Sequence, residues 1–255
     1  MFKTLLFSFL FTFVSIRFLS AQQEIDFRDE TWWGVMTSVQ VSKNWTVWND
    51  AHFVNDLFFI HRMGFTYHAK NIPLNTTVGY GYLTLTAPWS EGGLIRNEHR
   101  PWMQTVYRLP KKGNFTSSLR FRFDTRFFQD LDRENEELLS SYSLNYRWRF
   151  NYGLRYNVGE VFDGRFNVSF SLINEALFIS GPGSNGVRHE HRVFGMANFG
   201  FESFTLSAGY ITRYINISNE RAIFAHGPVF WIFINLNAKR KDASKIEELP
   251  VDHMY

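Results

Sequence analysis

Residues 144–156 read LNYRWRFNYGLRY, and this stretch decides the fold class. Side chains on a β-strand point alternately to its two faces, so every second residue shares a face. One face is apolar and aromatic throughout and consists of Leu144, Tyr146, Trp148, Phe150, Tyr152, Leu154 and Tyr156. The opposite face is polar and carries three arginines. A long strand of this kind is typical of a membrane-spanning barrel, in which lipid takes the place of the apolar core.

The same alternation recurs along the chain. In residues 117–129 the apolar face holds Leu119, Phe121, Phe123 and Phe127, and the polar face holds Arg120, Arg122, Asp124 and Arg126. The pattern predicts eleven strands: Thr31–Val41, Trp45–Phe53, Phe58–Ala69, Thr76–Ala87, Glu98–Leu109, Ser117–Gln129, Ser141–Tyr156, Arg165–Ile179, Arg188–Phe199, Phe204–Tyr214 and Pro228–Ala238. The sequence therefore predicts an all-β, antiparallel up-and-down transmembrane β-barrel. Because single-chain bacterial barrels have even strand numbers, we expect twelve strands, with Gln23–Glu30 as a weak first strand, or else ten.

The chain begins with an export signal. Lys3 precedes a short apolar run, and Ser20 and Ala21 provide small residues for cleavage. We expect residues 1–21 to be a signal peptide that is removed, residues 22–238 to form the barrel, and residues 239–255 to form a charged C-terminal tail. The apolar run is too short for a stable membrane helix.

Composition narrows the class of exported protein. The chain has no cysteine, so no disulfide framework holds it together. Its mean hydropathy of −0.24 and the lack of a later long apolar run exclude a helical membrane protein. Aromatic residues nevertheless make up 18% of the chain, which suits strands that face lipid. The net charge of +3 gives no electrostatic reason to expect nucleic-acid binding.

The predicted links alternate between short turns and longer loops. Short turns are predicted at residues 42–44, 111–114 and 200–203, and longer loops at residues 88–97, 130–139, 181–187 and 215–227. Outer-membrane barrels have short periplasmic turns and longer external loops. The pattern favours the outer membrane of a Gram-negative cell.

A series of short motifs resembles an uncharacterised, Bacteroidota-type family of exported bacterial proteins. The motifs, in order, are Gly79-Tyr80, Glu98-x-Arg100-x-Trp102-x-Gln104, Leu119-Arg120-Phe121-Arg122, Tyr146-Arg147, Asn174-Glu175, Arg192-x-x-Gly195 and Gly209-Tyr210. The resemblance implies an outer-membrane-like β-barrel and a location in the cell outer membrane. It implies no activity and no cofactor, because the family is known only as a domain of unknown function.

The two faces of the predicted strands predict which residues meet lipid and which meet the lumen. We expect the following to face lipid: Leu119, Phe121, Phe123, Phe127, Tyr146, Trp148, Phe150 and Tyr152. We expect an ionic network in the lumen made of Glu98, Arg100, Arg120, Arg122, Asp124, Arg126, Arg147, Arg149, Arg155, Glu175, Glu190, Arg192 and Arg213. Two interpretations stay open. The charges brace a narrow barrel as paired ions, or the arginines line a path or pocket for a small anionic solute.

Motifs for catalysis or metal binding are weak. Ser184 lies in a Gly/Pro/Ser/Asn segment that partly resembles an outer-membrane phospholipase motif, but Pro182 stands where that motif has its histidine. His189 and His191 share a strand face without a third ligand at a metal-binding spacing. The acids of residues 130–137 lack the spacing of a calcium loop. We therefore predict no catalytic residue, no metal and no cofactor.

Three functional hypotheses follow. The leading one is an outer-membrane barrel of structural or narrow-channel character, with membrane lipid and the barrel-assembly machinery as partners. The second is a soluble periplasmic β-barrel that binds a ligand, with the aromatic face turned inward and the arginines outward. The third is an outer-membrane enzyme that hydrolyses lipids. Alternation alone does not say which face is wet.

Overall fold

A computed structural model describes residues 23–86, 94–132, 134–161, 164–184 and 187–237, which form twelve β-strands. The strands are β1 (Glu24–Asp29), β2 (Trp32–Ser42), β3 (Trp45–Val54), β4 (Phe58–His68), β5 (Leu74–Leu85), β6 (Arg96–Arg108), β7 (Phe115–Asp132), β8 (Glu137–Val161), β9 (Phe166–Ser180), β10 (Arg188–Gly200), β11 (Phe204–Asn216) and β12 (Arg221–Asn237). The predicted signal peptide, residues 1–21, and the predicted tail, residues 239–255, lie outside the described residues. The all-β prediction and the count of twelve strands are confirmed.

The twelve strands form one closed sheet. From β2 to β12 each strand pairs antiparallel with the next, and β12 then pairs with β2 in parallel. Strand β1 also pairs with β12 in parallel, in line with β2 and in the same register: Glu24 lies opposite Arg221, and Trp32 lies opposite Val229. The barrel therefore has eleven strands around its wall, the first of them interrupted. The expectation of an even, wholly antiparallel barrel is wrong at this seam, because an odd number of alternating strands closes only in parallel.

The last strand begins earlier than predicted. A loop was predicted over residues 215–227 and a strand from Pro228, yet β12 begins at Arg221 and runs through Gly227 and Pro228. They lie opposite the break between β1 and β2, where proline's missing N–H interrupts the ladder least. A Cβ at Gly227, whose φ is +157°, would collide with the backbone of Glu30. Gly227 therefore marks a close backbone approach inside a strand.

The barrel has two unlike ends. The "turn end" carries the links at residues 43–44, 69–73, 109–114, 162–165 and 201–203. The "loop end" carries the links at residues 55–57, 86–95, 133–136, 181–187 and 217–220 and the start of β1. Two of the predicted long loops are mostly strand, because β7, β8 and β12 extend further than expected. The alternation of link lengths is correspondingly weaker than predicted.

Strands β7 and β8 extend past their neighbours at the loop end. Gln129 still pairs with Tyr142 there, whereas the pairing of β8 with β9 begins only at Tyr146. At the hairpin tip, hydrogen bonds from the Asn135 side chain and from backbone N–H groups hold the pKa of Asp132 below its usual range. The tip is thus a short hydrogen-bonded turn between two strands, where a longer loop was predicted over residues 130–139.

Candidate functional site: the charged lumen

The lumen changes in chemistry along its length. At the loop end its inward side chains are mostly charged, in the middle aromatic and apolar, and at the turn end neutral and polar. Hydrogen bonds between neighbouring strands connect the neutral layer. Thr66 and Thr77 share one at 2.8 Å, and Ser207 donates to Asn198 at 2.7 Å. All three layers result from the period-two alternation of the strands. Every second residue of a strand points into the lumen, and its position along the strand decides which layer it joins.

All thirteen residues of the predicted network face the lumen, each 9% exposed or less. Twelve of them contact an oppositely charged member of the network directly. Arg155, the thirteenth residue, lies nearer the turn end and donates to the Ser171 hydroxyl at 3.4 Å. The arginine faces thus point into the barrel, opposite to the arrangement that the soluble inverted-core hypothesis requires.

Two carboxylates join strands β7, β8 and β9 on the lumen side. Asp124 accepts hydrogen bonds from Arg122 at 2.7 Å and from Arg147 at 3.0 Å. Glu175 accepts from Arg120 at 2.5 Å and from Arg149 at 2.8 Å. Each carboxylate is fully buried and holds two guanidinium groups, which satisfies the requirement that buried charges be paired.

Further pairs extend this network around the wall. Glu98 accepts from Arg100 at 2.6 Å and from Arg126 at 2.7 Å. Glu190 accepts from Arg192 at 2.5 Å and from Arg213 at 2.7 Å. Arg192 also lies 3.7 Å from Glu175, so the ionic contacts run continuously from β7 to β11.

Two acidic residues of the lumen, Asp50 and Glu30, were not predicted from the sequence. Asp50 pairs with Arg62 and with His52, and Glu30 pairs with Arg213 at 2.7 Å and accepts from the Trp32 indole at 2.9 Å. Asp50 shares its face with Trp48, which obscured the polar side of β3. Glu30 lies between two strands, where no alternation marks it. Its parity with Trp32 was the one available signal.

Arginines outnumber carboxylates in the lumen. Among the described residues, ten arginines and six carboxylates are buried, an excess of four positive charges. Some of these guanidinium groups contact aromatic rings. The guanidinium carbon of Arg122 lies 4.2 Å from the centre of the Trp102 ring, and that of Arg213 lies 5.4 Å from Trp32. Cation–π contacts of this kind stabilise desolvated guanidinium groups, but they leave the excess charge in place.

Below the charged layer, the lumen contains a layer of packed aromatic and methionine side chains, which we call the septum. It consists of Met36, Trp48, Trp102, Phe194, Met196 and Trp231, each 4% exposed or less. Trp48 and Trp102 meet edge to face with their ring centres 5.4 Å apart, and Phe194 and Trp231 meet at 5.7 Å. The septum separates the charged layer from the neutral layer.

The residues predicted to face lipid all lie on the outer surface. Leu119, Trp148, Phe150 and Tyr152 are 40–52% exposed. Phe121, Phe123, Phe127 and Tyr146 are less exposed because neighbouring rings cover them; Phe123 and Trp148 lie 4.4 Å apart. The outer wall is therefore a continuous layer of packed apolar and aromatic side chains.

The described residues of the weaker motifs lie at the loop end and on the outer face. Ser184 donates its backbone N–H to Gly181 in a tight turn, and His191 shares a hydrogen bond of 2.9 Å with Asn174 on the outer face. His189 packs on the ring of Tyr214 at 5.9 Å. Among the described residues, no three His, Cys, Asp or Glu side chains are grouped as a metal site.

A family model described as "Protein of unknown function (DUF2490)" matches residues 29–223. The chain belongs to this family. The DUF2490 match includes all the buried charged residues described above, from Glu30, between β1 and β2, to Arg213 on β11. No curated protein matches the chain. Within the described residues, no helix is long and apolar enough to cross a membrane.

Proposed function

We propose that this chain is a membrane-spanning barrel of the Gram-negative outer membrane, of structural or narrow-channel character. One observation carries the proposal. Wherever strands β2 to β12 are paired on both sides, no outward-facing position in the described residues holds Asp, Glu, Lys or Arg. A soluble barrel would place charges on this wall and apolar groups inside, whereas lipid reverses that preference.

The outward histidines support the same environment. His61 shares a hydrogen bond of 2.8 Å with Asn49, His226 one of 2.7 Å with Tyr210, and His99 one with Tyr80. Each partner lies on a neighbouring strand and also faces outward. Polar groups in hydrocarbon need internal partners, whereas groups in water do not. The cross-strand pairing of these side chains therefore suits a lipid-facing wall.

Aromatic contacts are present at both ends of the outer wall as well as in its middle. At the turn end, Trp45 and Tyr67 lie 5.1 Å apart and Phe115 and Tyr156 lie 5.0 Å apart. At the loop end, His99 lies 5.3 Å from the Tyr142 ring. Aromatic girdles at the two interfaces are a property of outer-membrane barrels.

A charge placed on the outer wall tests the proposal. Phe150 lies near the middle of β8, and Phe150→Arg should cost about 2–4 kcal/mol in a membrane, with loss of the folded band on unboiled gels. Leu139→Arg, on the hairpin beyond the neighbouring strands, is the matched control and should fold normally. Envelope fractionation of the unaltered chain should place it in the outer membrane, with a mobility shift on boiling. Recovery as a freely soluble periplasmic protein, or full tolerance of Phe150→Arg, would overturn the proposal.

Export is part of the proposal. We expect cleavage after Ala21 and insertion by the barrel-assembly machinery. The mature chain recovered from the envelope should start at Gln22, which N-terminal sequencing measures. A retained leader would contradict the cleavage site and leave the barrel itself unaffected.

A further inference from the structure

A cavity of about 680 Å³ occupies the lumen between the septum and the loop end. Its inner boundary is formed by Trp32, Arg62 and Arg149, and residues at the loop end, among them Arg28 and Arg188, form its outer boundary. We call this space the chamber. Its volume lies within the range of roughly 300–1,000 Å³ that small-molecule sites occupy.

The chamber is strongly cationic. Eleven arginines line it, against three acids. Most of these arginines contact the carboxylates described above, but Arg188 has no acidic partner among the described residues, and its Nε is buried without a hydrogen bond. Arg28, on β1, likewise makes no ion pair within the described residues. A buried donor without a partner is costly unless a ligand or water satisfies it.

Two apolar sectors interrupt the arginines. One is the cluster of Ile60, Leu83 and Leu85, with Phe58 and Phe128 packed against it. The other is on the far side of the lumen and includes Ile215 and Ile223, with Ile217 packed against them. Residues from both sectors line the chamber. A simple ion path would have no use for apolar walls of this extent.

We propose that the chamber binds an anionic amphiphile, with a phosphate or carboxylate head held by Arg188 and its neighbours and an apolar body against the isoleucine and leucine sectors. The proposal goes beyond the proposed function and rests on it only in placing the mouth of the chamber at a membrane surface. Guanidinium groups match phosphate and carboxylate oxygens in charge and in geometry. The apolar sectors select against a bare inorganic anion.

Titration calorimetry on the folded chain in phosphatidylcholine nanodiscs tests the proposal, with octyl phosphate as the probe and empty nanodiscs as the blank. We expect octyl phosphate and octanoate to bind at least about tenfold more tightly than inorganic phosphate or octanol, because only the first two satisfy both surfaces. Arg188→Gln should weaken octyl phosphate binding about tenfold or more. Arg165→Gln, an exposed arginine at the turn end, is the matched control and should leave binding unchanged.

Three results would overturn the proposal: octanol binding as tightly as octyl phosphate, inorganic phosphate binding as tightly as octyl phosphate, or Arg188→Gln binding with unchanged affinity. Arg28→Gln provides a second variant should Arg188→Gln fail to fold. Replacing part of the disc lipid with phosphatidylglycerol distinguishes the source of the ligand. Loss of probe binding assigns the chamber to a membrane lipid, and retained binding assigns it to a soluble amphiphile; both support the chemistry. The mobility shift on boiling is measured on the same samples, so failure to bind is separable from failure to form a membrane barrel.

Discussion

Arg213 donates its Nη1 to both carboxylate oxygens of Glu30, each at 2.7 Å, across 183 residues of sequence. Its Nε donates to Glu190 at 2.7 Å on the neighbouring strand. The interrupted first strand is thereby tied to β11 through the lumen as well as to β12 through the backbone. One guanidinium group thus joins the beginning of the barrel to its end.

Replacing Arg213 should destabilise the barrel strongly. Arg213→Gln leaves Glu30 and Glu190 buried with a partner removed, and breaking a buried pair in this way costs about 3–5 kcal/mol. Arg221→Gln is the control, because Arg221 pairs with Asp26 at 3.0 Å on the surface and such pairs contribute about 1 kcal/mol or less. Urea unfolding followed by tryptophan fluorescence measures both. Equal losses in the two variants would contradict the role of the buried pair.

Shortening a septum side chain should open the lumen. Trp102→Ala removes a ring that packs on Trp48 and under Arg122, with a loss of about 3–5 kcal/mol in stability. In planar bilayers we expect low conductance for the unaltered chain and a higher, anion-selective conductance for the variant. Met103→Ala changes the adjacent, outward-facing residue of β6 and should leave conductance unchanged. A large conductance in the unaltered chain would show that the septum does not block the lumen.

Replacement by alanine should change the stability of the barrel at one of two neighbouring glycines and not at the other. Gly209 faces the lumen, where a Cβ would collide with the Gly195 carbonyl oxygen and with Met196. Gly195 faces outward, and a Cβ there meets nothing within 4 Å. We expect Gly209→Ala to cost about 1–3 kcal/mol and Gly195→Ala to be neutral within about 0.5 kcal/mol. Unfolding midpoints of the two variants provide the comparison, and a tolerated Gly209→Ala would count against close packing at this position.

Single cysteines should map the two ends to opposite sides of the membrane. The chain has no cysteine of its own, so each introduced thiol reports one position. Glu134→Cys, in the loop-end hairpin, should react with a membrane-impermeant maleimide on intact cells, because the longer loops of outer-membrane barrels face outward. Lys112→Cys, at the turn end, should react only after permeabilisation. Phe150→Cys should stay unlabelled in both, and the reverse sidedness would invert the assigned orientation.

Strict alternation made the wall and much of the lumen predictable. In residues 144–156 every second side chain is apolar, and in residues 119–127 only Thr125 interrupts the same pattern, so the inward position of Asp124 and Arg149 follows from parity alone. The resemblance to an uncharacterised family supported the predicted barrel and implied no activity. The extents of the strands were less predictable. Strand β8 is nine residues longer than the predicted strand Ser141–Tyr156, and its added ends show no clear alternation. Those ends belong to the strand because they pair with β7 and β9.

Other features depend on contacts that parity does not encode. Trp102 lies inward with Arg100, but its ring resembles the lipid-facing aromatics in sequence, so the septum was not predicted. Asp50 was missed for the same reason, since Trp48 shares its face. The parallel seam joins residues that no local pattern connects. Each of these requires the closed barrel, in which distant strands become neighbours.

The parallel seam also sets an order of events. Hairpins β2–β3 through β11–β12 can form between consecutive strands, but the free edges of β1 and β2 find their only partner in β12, nearly the whole described chain later. Contacts between such distant residues form late, because loop-closure entropy must be overcome first. Until that moment the first strand presents an open edge that can pair with another chain. Correct assembly of the barrel therefore depends on keeping this edge from pairing with another chain until β12 has joined it.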